Sequence, residues 1–284
     1  MNIKLMSKEE NALSQLDTLK KLLKKAENTA FGKAHNFKGL LKEQDIIRTY
    51  QEHVPIYNYD DFYNQWLNRV VENGEKDISW PGKTKYFALS SGTSGAPSKK
   101  IPVTKDMLVA MRKAGYRHFY CIKNLDVPSS FYEKQILLLG GCTHLSQFGN
   151  VFEGDLSGIL TGRLPFWLNH FYKPGKDISQ EKDWNEKLKK ITLEADKWDI
   201  GVISAVPSWT QMLLESIIRH YGLKNIHEIW PNFKVYVHGG VSFSPYKKGF
   251  EKLLGRDLIY LETYLASEGF IAFEEKADMG DMNL

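Results

Sequence analysis

The stretch DIGVISAVPSWTQMLLESIIRHYG, residues 199–222, decides the fold. Asp199 to Val206 is a short apolar run bounded by turn signals, the pattern of a buried strand. Pro207-Ser208 then opens a helix, because proline suits a first helical turn where no N–H is needed. Met212, Leu213, Ile217 and Ile218 recur at helical spacing, and Gly222 stops the helix. A strand feeding straight into a helix is half of a parallel-sheet unit.

The same rhythm extends in both directions. Upstream, Lys85 to Leu89 reads as a strand, followed by a Gly/Ser loop and a helix N-capped by Thr104 that carries Met107, Met111 and Ala114. Gln135 to Leu139 is a short apolar run ending in Gly140-Gly141. Residues 180–198 read as an amphipathic helix through Trp184, Leu188, Ile191, Ala195 and Trp198. Downstream, a strand from Lys234 to Val237 ends in His238-Gly239-Gly240, and one from Asp257 to Leu261 leads to Thr263-Tyr264. The expected fold is α/β, a largely parallel sheet flanked by helices. Ligands in such sheets bind outside the carboxyl ends of the strands. If these strands are neighbours in one sheet, Ser90-Ser91-Gly92, Gly140-Gly141, Gly239-Gly240 and Ala266-Ser267 line one crevice.

Ahead of this body, residues 8–30 read as a helix with Leu13, Leu16, Leu19, Leu22, Leu23 and Ala26 toward one side, and its lysine run as a solvated face. Residues 31–81 are irregular and aromatic, as for short helices packed on a larger body. The expectation is one region over 1–284, with 1–80 a helical or irregular lead-in and 81–284 the α/β body. A chain of 284 residues can bury a sizeable core. Its hydrophobic and charged fractions, 42% and 25%, are those of a globular protein and exclude disorder, collagen and coiled coil. Lysine plus arginine number 38 against 34 acids, a net charge of +4 too diffuse for nucleic-acid binding. No apolar run is long enough for a membrane span and the start lacks an export signal, so the expected location is cytoplasmic. Cys121 and Cys142 lack metal-ligand spacing and read as ordinary thiols.

The strongest local signal is Ser90-Ser91-Gly92-Thr93-Ser94-Gly95, with Lys99 shortly after. Hydroxyls and flexible backbone N–H groups beside a lysine make a cradle for phosphate, or else a flexible surface turn. It is neither a Walker loop, whose second glycine would fall at Pro97, nor a dinucleotide fingerprint. Tyr264-Leu265-Ala266-Ser267-Glu268 is the second signal: a ring to stack on a base, a hydroxyl for a phosphate oxygen and a carboxylate for magnesium. By itself it also fits a strand end with a solvent-facing carboxylate. His238-Gly239-Gly240 resembles an esterase oxyanion hole, but the nucleophile elbow Gly-x-Ser-x-Gly is absent, so a serine hydrolase is a poor reading. His238 reads as a packing histidine.

Taken together, the order of elements resembles the auxin-responsive-promoter (Gretchen Hagen three) family of acyl-acid amido synthetases, a branch of the adenylate-forming enzymes, in its bacterial form. The resemblance runs through NTAFGK at 28–33, VPIY at 54–57, WPGK at 80–83, SSGTSGAPSKKIPVT at 90–104, GDLSG at 154–158, AVPSW at 205–209, IWPN at 229–232, VHGGVSFSPY at 237–246 and YLASEG at 264–269. It implies a ligase that activates a carboxylic acid with ATP as the acyl adenylate and transfers it to an amine, usually an amino acid, releasing AMP. Ser90, Ser91, Gly92, Thr93 and Ser94 would hold the phosphates, and Lys99 and Thr93 would act on the reacting group. Gly239, Gly240 and Val241 would lie along adenine and the acyl pocket, Tyr264 would stack on the base, Ser267 would touch the α-phosphate and Glu268 would bind magnesium. Family members continue to a ribose-binding Tyr-Arg-x-Gly-Asp segment and a mobile C-terminal domain, neither of which falls within these residues. The resemblance therefore implies an incomplete, adenylate-forming-enzyme-like N-terminal domain; the alternative is a catalytically inactive nucleotide-binding or scaffolding remnant. Leu265 stands where the family generally has a smaller or more polar residue. Residues 116–172, with Tyr116, Phe119, Tyr120, Phe148, Phe152, Phe166 and Trp167, are the candidate acyl-binding region, most of these rings being expected in ordinary core packing.

Overall fold

The structure is a computed structural model that describes residues 8–90, 98–122, 125, 127–164, 168, 170–275 and 282. It divides into two compact units, Met1–Phe87 with Gln147–Phe152, and Ala88–Ser146 with Glu153–Leu284.

The first unit carries helices α1 (Lys8–Ala26), α2 (Ala30–Ala34), α3 (Phe37–Leu40), α4 (Ile46–His53), α5 (Tyr59–Phe62) and α6 (Asn68–Val71). The expected helix over 8–30 ends at Ala26 because Thr29 intervenes. Its hydroxyl donates to the Ala26 carbonyl at 2.7 Å and accepts from the Gly32 N–H at 2.9 Å, closing α1 and capping α2. A Cβ on Gly32 would stand 2.1 Å from the Ala26 carbonyl oxygen, so only glycine allows this corner. The apolar stripe of α1 is narrower than expected: Leu23 and Ala26 are buried, with Leu16 and Leu19 packed beside them, while Leu13 and Leu22 are exposed. The two misassigned leucines lie on the flanks of the buried stripe, where 3.6-residue spacing carries them out to solvent. The aromatic lead-in forms a ring cluster about Phe31, which meets His35, Phe37, Tyr57, Phe62 and Trp66 within 6.0 Å.

The strands are β1 (Tyr86–Leu89), β2 (Lys100–Val103), β3 (Gln135–Leu139), β4 (Ser146–Phe148), β5 (Val151–Gly154), β6 (Tyr172–Lys173), β7 (Ile200–Ala205), β8 (Val235–Gly239), β9 (Ile259–Ala266) and β10 (Gly269–Phe273). A four-stranded sheet runs β2-β1-β5-β4, and a six-stranded sheet runs β10-β9-β8-β7-β3-β6. In the larger sheet β9, β8, β7, β3 and β6 pair in parallel, and β10 returns antiparallel to β9. The second unit's helices are α7 (Lys105–Cys121), α8 (Leu156–Thr161), α9 (Lys176–Ser179), α10 (Trp184–Glu194), α11 (Pro207–Tyr221) and α12 (Lys247–Glu251). Both faces of the sheet are covered. Ile191, Leu213, Leu214, Ile217, Trp230, Tyr236 and Phe250 form the core on one face. Ile122, Phe131, Val202, Val235, Val237 and Leu261 form it on the other. Strand alternation sends Val235 and Val237 one way and Tyr236 the other.

Two helix ends are set as the sequence implied: Thr104 Oγ1 accepts from the Met107 N–H, and Gly222 ends α11 at φ 65°. The helix expected over 180–198 is shorter, because Asp183 caps α10 by accepting from the Glu186 N–H and α10 ends at Glu194. Two further expectations need correction. β1 belongs to the smaller sheet, so the serine loop does not follow a strand neighbouring β3, β8 and β9. Tyr264 lies inside a strand rather than after one, because β9 continues into a hairpin with β10. That pairing satisfies backbone groups through Ala266.

Buried polar groups tie the core. Trp230 Nε1 donates to the Ala195 carbonyl at 2.9 Å. The Gly255 N–H donates to His227 Nδ1, so the ring proton sits on Nε2 and bonds the Phe233 carbonyl, both at 3.0 Å. Asn232 and Lys134 hold the two oxygens of Asp199 at 2.7 Å, fixing the entry to β7. Replacing Trp230 by Phe should therefore leave the Ala195 carbonyl only the longer bond from the Trp198 N–H at 3.3 Å, and lower unfolding free energy by roughly 0.5–1.5 kcal/mol in urea titrations.

Burial pushes His118 and His238 each down to about 4, so both stay neutral in the folded chain near pH 7. The unfolded state takes up protons first as pH falls below the ordinary histidine range. Stability should hold above about pH 6.5 and decline toward pH 4. His118→Phe should flatten that decline, checked by comparing urea midpoints at pH 7 and 5.

Candidate functional site

Parallel pairing brings the carboxyl ends of β3, β7, β8 and β9 to one edge, and a cavity of about 370 Å³ opens there. Its floor is Gly140 after β3, Ser204, Ala205 and Val206 of the β7–α11 corner, Gly239 and Gly240 of β8, and Thr263 of β9. Gly239 is indispensable to that packing. A Cβ there would stand 2.2 Å from the Thr263 carbonyl oxygen, at the last paired position of β8 and β9. Gly240 turns away at φ 81°. The Thr263 hydroxyl donates to the His238 carbonyl at 3.0 Å and locks the two strand ends together.

The edge is electrostatically suited to an anion. α11 starts at the cavity with Val206 as an N-cap that offers no side-chain hydrogen bond, and its Trp209 lines the wall. Gly141 donates its N–H to Ser157 Oγ at 2.9 Å, which turns the β3 exit toward α8. Beneath it Lys187 is buried, its ammonium 3.4 Å from the Gly140 carbonyl oxygen, and burial lowers its pKa. His238 is buried against Phe243, with ring centroids 4.8 Å apart, and its Nδ1 has no hydrogen-bond partner. It is a packing residue, as expected, and too low in pKa to shuttle protons at pH 7.

A second cavity, of about 530 Å³, lies between α7 and the sheet face. Leu108, Met111, Tyr116 and Phe119 of α7, Phe131, Ile136, Val202, Phe171 and Phe270 make it apolar, while Arg112, Lys134 and Arg163 contribute cations. Leu160, Leu164 and Leu265 line both cavities. The rings expected in core packing are on the surface instead. Tyr116, Phe119 and Tyr120 of α7, Phe148 of β4 and Phe152 of β5 are all exposed, the first two on the cavity. Phe166 and Trp167 lie outside the described residues.

Of the residues expected to hold nucleotide, Ser90 and Lys99 form the neck of the serine loop. The Ser90 N–H donates to the Lys99 carbonyl at 2.9 Å, and the Lys99 N–H returns to Ser90 Oγ at 3.0 Å. Next to them Lys100 pairs with Glu153 at 2.7 Å. Ser91, Gly92, Thr93 and Ser94 lie outside the described residues. Gly239 and Gly240 are on the cavity. Val241 and Tyr264, just beyond the last β8–β9 pair, are each about half exposed. Ser267 and Glu268 make the β9–β10 turn, with Glu268 exposed. Cys121 and Cys142 are free thiols. Sequence reading missed Thr263, Ser157, Leu160 and Leu164 as lining residues and marked Leu265 only as a departure from the family pattern; Ser157 lay inside GDLSG and Leu265 inside YLASEG.

Among the described residues no helix is long and apolar enough to cross a membrane. The family described as the GH3 family N-terminal domain matches residues 2–188 and 143–259. No curated protein matches the chain. Among solved structures, GH3.15 acyl acid amido synthetase superposes with a TM-score of 0.68 at 14% identity, over 96% of this chain and 58% of its own. AtGH3.15 acyl acid amido synthetase in complex with 2,4-DB gives 0.63 at 16%, over 98% and 59%. A 2-hydroxyisobutyryl-CoA ligase in complex with 2-HIB-AMP and CoA gives 0.56 at 14%, over 94% and 52%. This chain thus spans somewhat over half the length of the structures it matches, and its fold is that of the N-terminal part of adenylate-forming enzymes. It belongs to the GH3 family and carries that family's N-terminal domain.

Proposed function

We propose that this chain is the nucleotide- and acid-binding portion of an ATP-dependent ligase that activates a carboxylic acid as its acyl adenylate and passes it to an amine, usually an amino acid. The observation that carries the reading is the pair of cavities: a glycine-floored one at the carboxyl edge of the sheet, and an apolar one sharing Leu160, Leu164 and Leu265 with it. The edge cavity takes the nucleotide and the reacting carboxylate; the apolar cavity takes the body of the acid.

The chemistry asks little of side-chain bases. A carboxylic acid with a pKa of roughly 4 is already ionised near pH 7, so it can attack the α-phosphate directly. The barrier lies in bringing two anions together in line, and alignment and charge neutralisation lower it. Ser90 to Ser94 and Lys99 hold the phosphates, and Thr93 and Lys99 act on the reacting group. Gly239, Gly240 and Val241 lie along adenine, Tyr264 stacks on it and Ser267 meets the α-phosphate. Glu268 suits magnesium, because its carboxylate is exposed at the hairpin turn. Held there by Glu268, magnesium would supply charge neutralisation at the phosphates. Transfer to the amine then needs only the activated acyl carbon presented at the edge. The same reading makes the enzyme a cytoplasmic one.

Magnesium-ATP titrated calorimetrically into the chain should bind. Replacing Ser91 and Thr93 together by alanine should weaken that binding at least about tenfold, in line with the loss of two hydrogen bonds to a charged group. Gly239→Ala should also weaken it, by forcing the β8 and β9 ends apart. With the remainder of a family ligase supplied in trans, acid-dependent pyrophosphate exchange separates an enzyme from an inactive remnant, which would show none with any acid.

A further inference from the structure

Leu160, Leu164 and Leu265 are the residues that stand on both cavities. They come from two independent supports. Leu265 sits at the end of β9, paired across the hairpin with Phe270, itself on the apolar cavity. Thr263, two residues earlier on the same strand face, lines the edge cavity. Leu160 is in α8, whose Leu156 and Ile159 are buried and anchor the helix. Leu164 follows one turn later, on the same side, its N–H bonded to the Thr161 carbonyl at 3.2 Å. Three isobutyl groups therefore separate a glycine-floored space from an apolar one.

We propose that Leu265, with Leu160 and Leu164, is the specificity-determining constriction of the acid site: it admits acids whose carboxylate is carried on an unbranched methylene and rejects those with the carboxylate directly on a ring. The inference rests on the assignment of nucleotide and acid to the two cavities. An acid bound across both must place its carboxylate at the edge and its body against α7, so the carbon next to the carboxylate lies among the three leucines. On this proposal the passage takes a methylene and no more. A ring carbon there brings its two ortho neighbours into the leucine methyl groups, and a packed interior does not absorb that overlap without strain. Leu265 is 38% exposed, so shortening it widens the passage without opening the core.

The test compares benzoate, phenylacetate and 3-phenylpropanoate, which share one ring and differ only in methylenes, titrated calorimetrically into the chain with AMP present. Phenylacetate and 3-phenylpropanoate should bind at least about tenfold tighter than benzoate, the scale of discrimination an apolar pocket achieves. Leu265→Ala should close that gap to within about threefold by raising benzoate affinity, at an almost unchanged melting temperature. Leu160→Ala approaches the passage from the other support and should act in the same direction even where Leu265→Ala folds poorly. Equal affinity for benzoate and phenylacetate in the unaltered chain overturns the constriction, as does a gap that both variants leave intact. Should AMP bind while none of the acids does, the placement of the acid in the apolar cavity falls, and the constriction with it. Should AMP itself not bind, the nucleotide reading falls first.

Discussion

Parallel pairing of β3, β7, β8 and β9 is the constraint from which the site follows. Strands that run the same way must each be followed by a crossover, so every return path leaves the sheet at one edge and enters it at the other. At the exit edge the backbone stops pairing, and its N–H and C=O groups need new partners. Some find them locally: Thr263 bonds the His238 carbonyl, and Ser157 takes the Gly141 N–H. The rest face a cavity. Where Gly239 lets β8 and β9 close up until a Cβ would touch the Thr263 carbonyl, the floor of that cavity is backbone rather than side chain.

Holding such an edge open requires a rigid body behind it. That rigidity comes from buried polar groups with assigned partners as much as from apolar packing. Tyr236 is fully buried and donates its hydroxyl to the Ala205 carbonyl at 3.0 Å, bridging β8 to the last residue of β7 just below the edge. Burial drives that phenol's pKa upward, which keeps it a donor. Trp230 ties the loop before β8 to the end of α10, and His227 clamps the turn before β9 through a single tautomer. A core crossed by such bonds tolerates little sliding of one strand past another, so the four exits keep their register.

Much of this was legible in the sequence, and the parts that were not share a cause. Gln135 to Leu139, Pro207 to Gly222 and the Thr104 cap were read closely, because burial on both faces, proline at a helix start and a hydroxyl cap are local physics. The hairpin of β9 and β10 was hidden: GFIAF alternates weakly, and Ser267-Glu268 is not a strong turn pair, so only the long-range pairing reveals it. The placement of β1 in a separate sheet is likewise non-local. The exposed rings of α7 read as core because aromatic spacing on a helix looks the same whether it faces a neighbour or a void. Leu265 was noticed as a departure from a family pattern, but its place between two cavities depends on α8, more than a hundred positions away, which spacing within YLASEG cannot show.

The two cavities differ in polarity for one geometric reason. A sheet edge exposes backbone, which is polar whatever the sequence, whereas a sheet face exposes side chains, which here are Ile136 and Val202 beneath the apolar side of α7. A substrate that is charged at one end and apolar along its body is therefore matched by any position where edge and face meet. In this chain that meeting line runs through the end of β9, because β9 is the parallel strand that continues into an antiparallel hairpin instead of ending at the edge. The extra residues of β9 carry Leu265 past Thr263 and out over the boundary. A side chain fixed there by pairing, rather than by a loop, is the one best placed to decide which acids cross from the apolar space to the nucleotide.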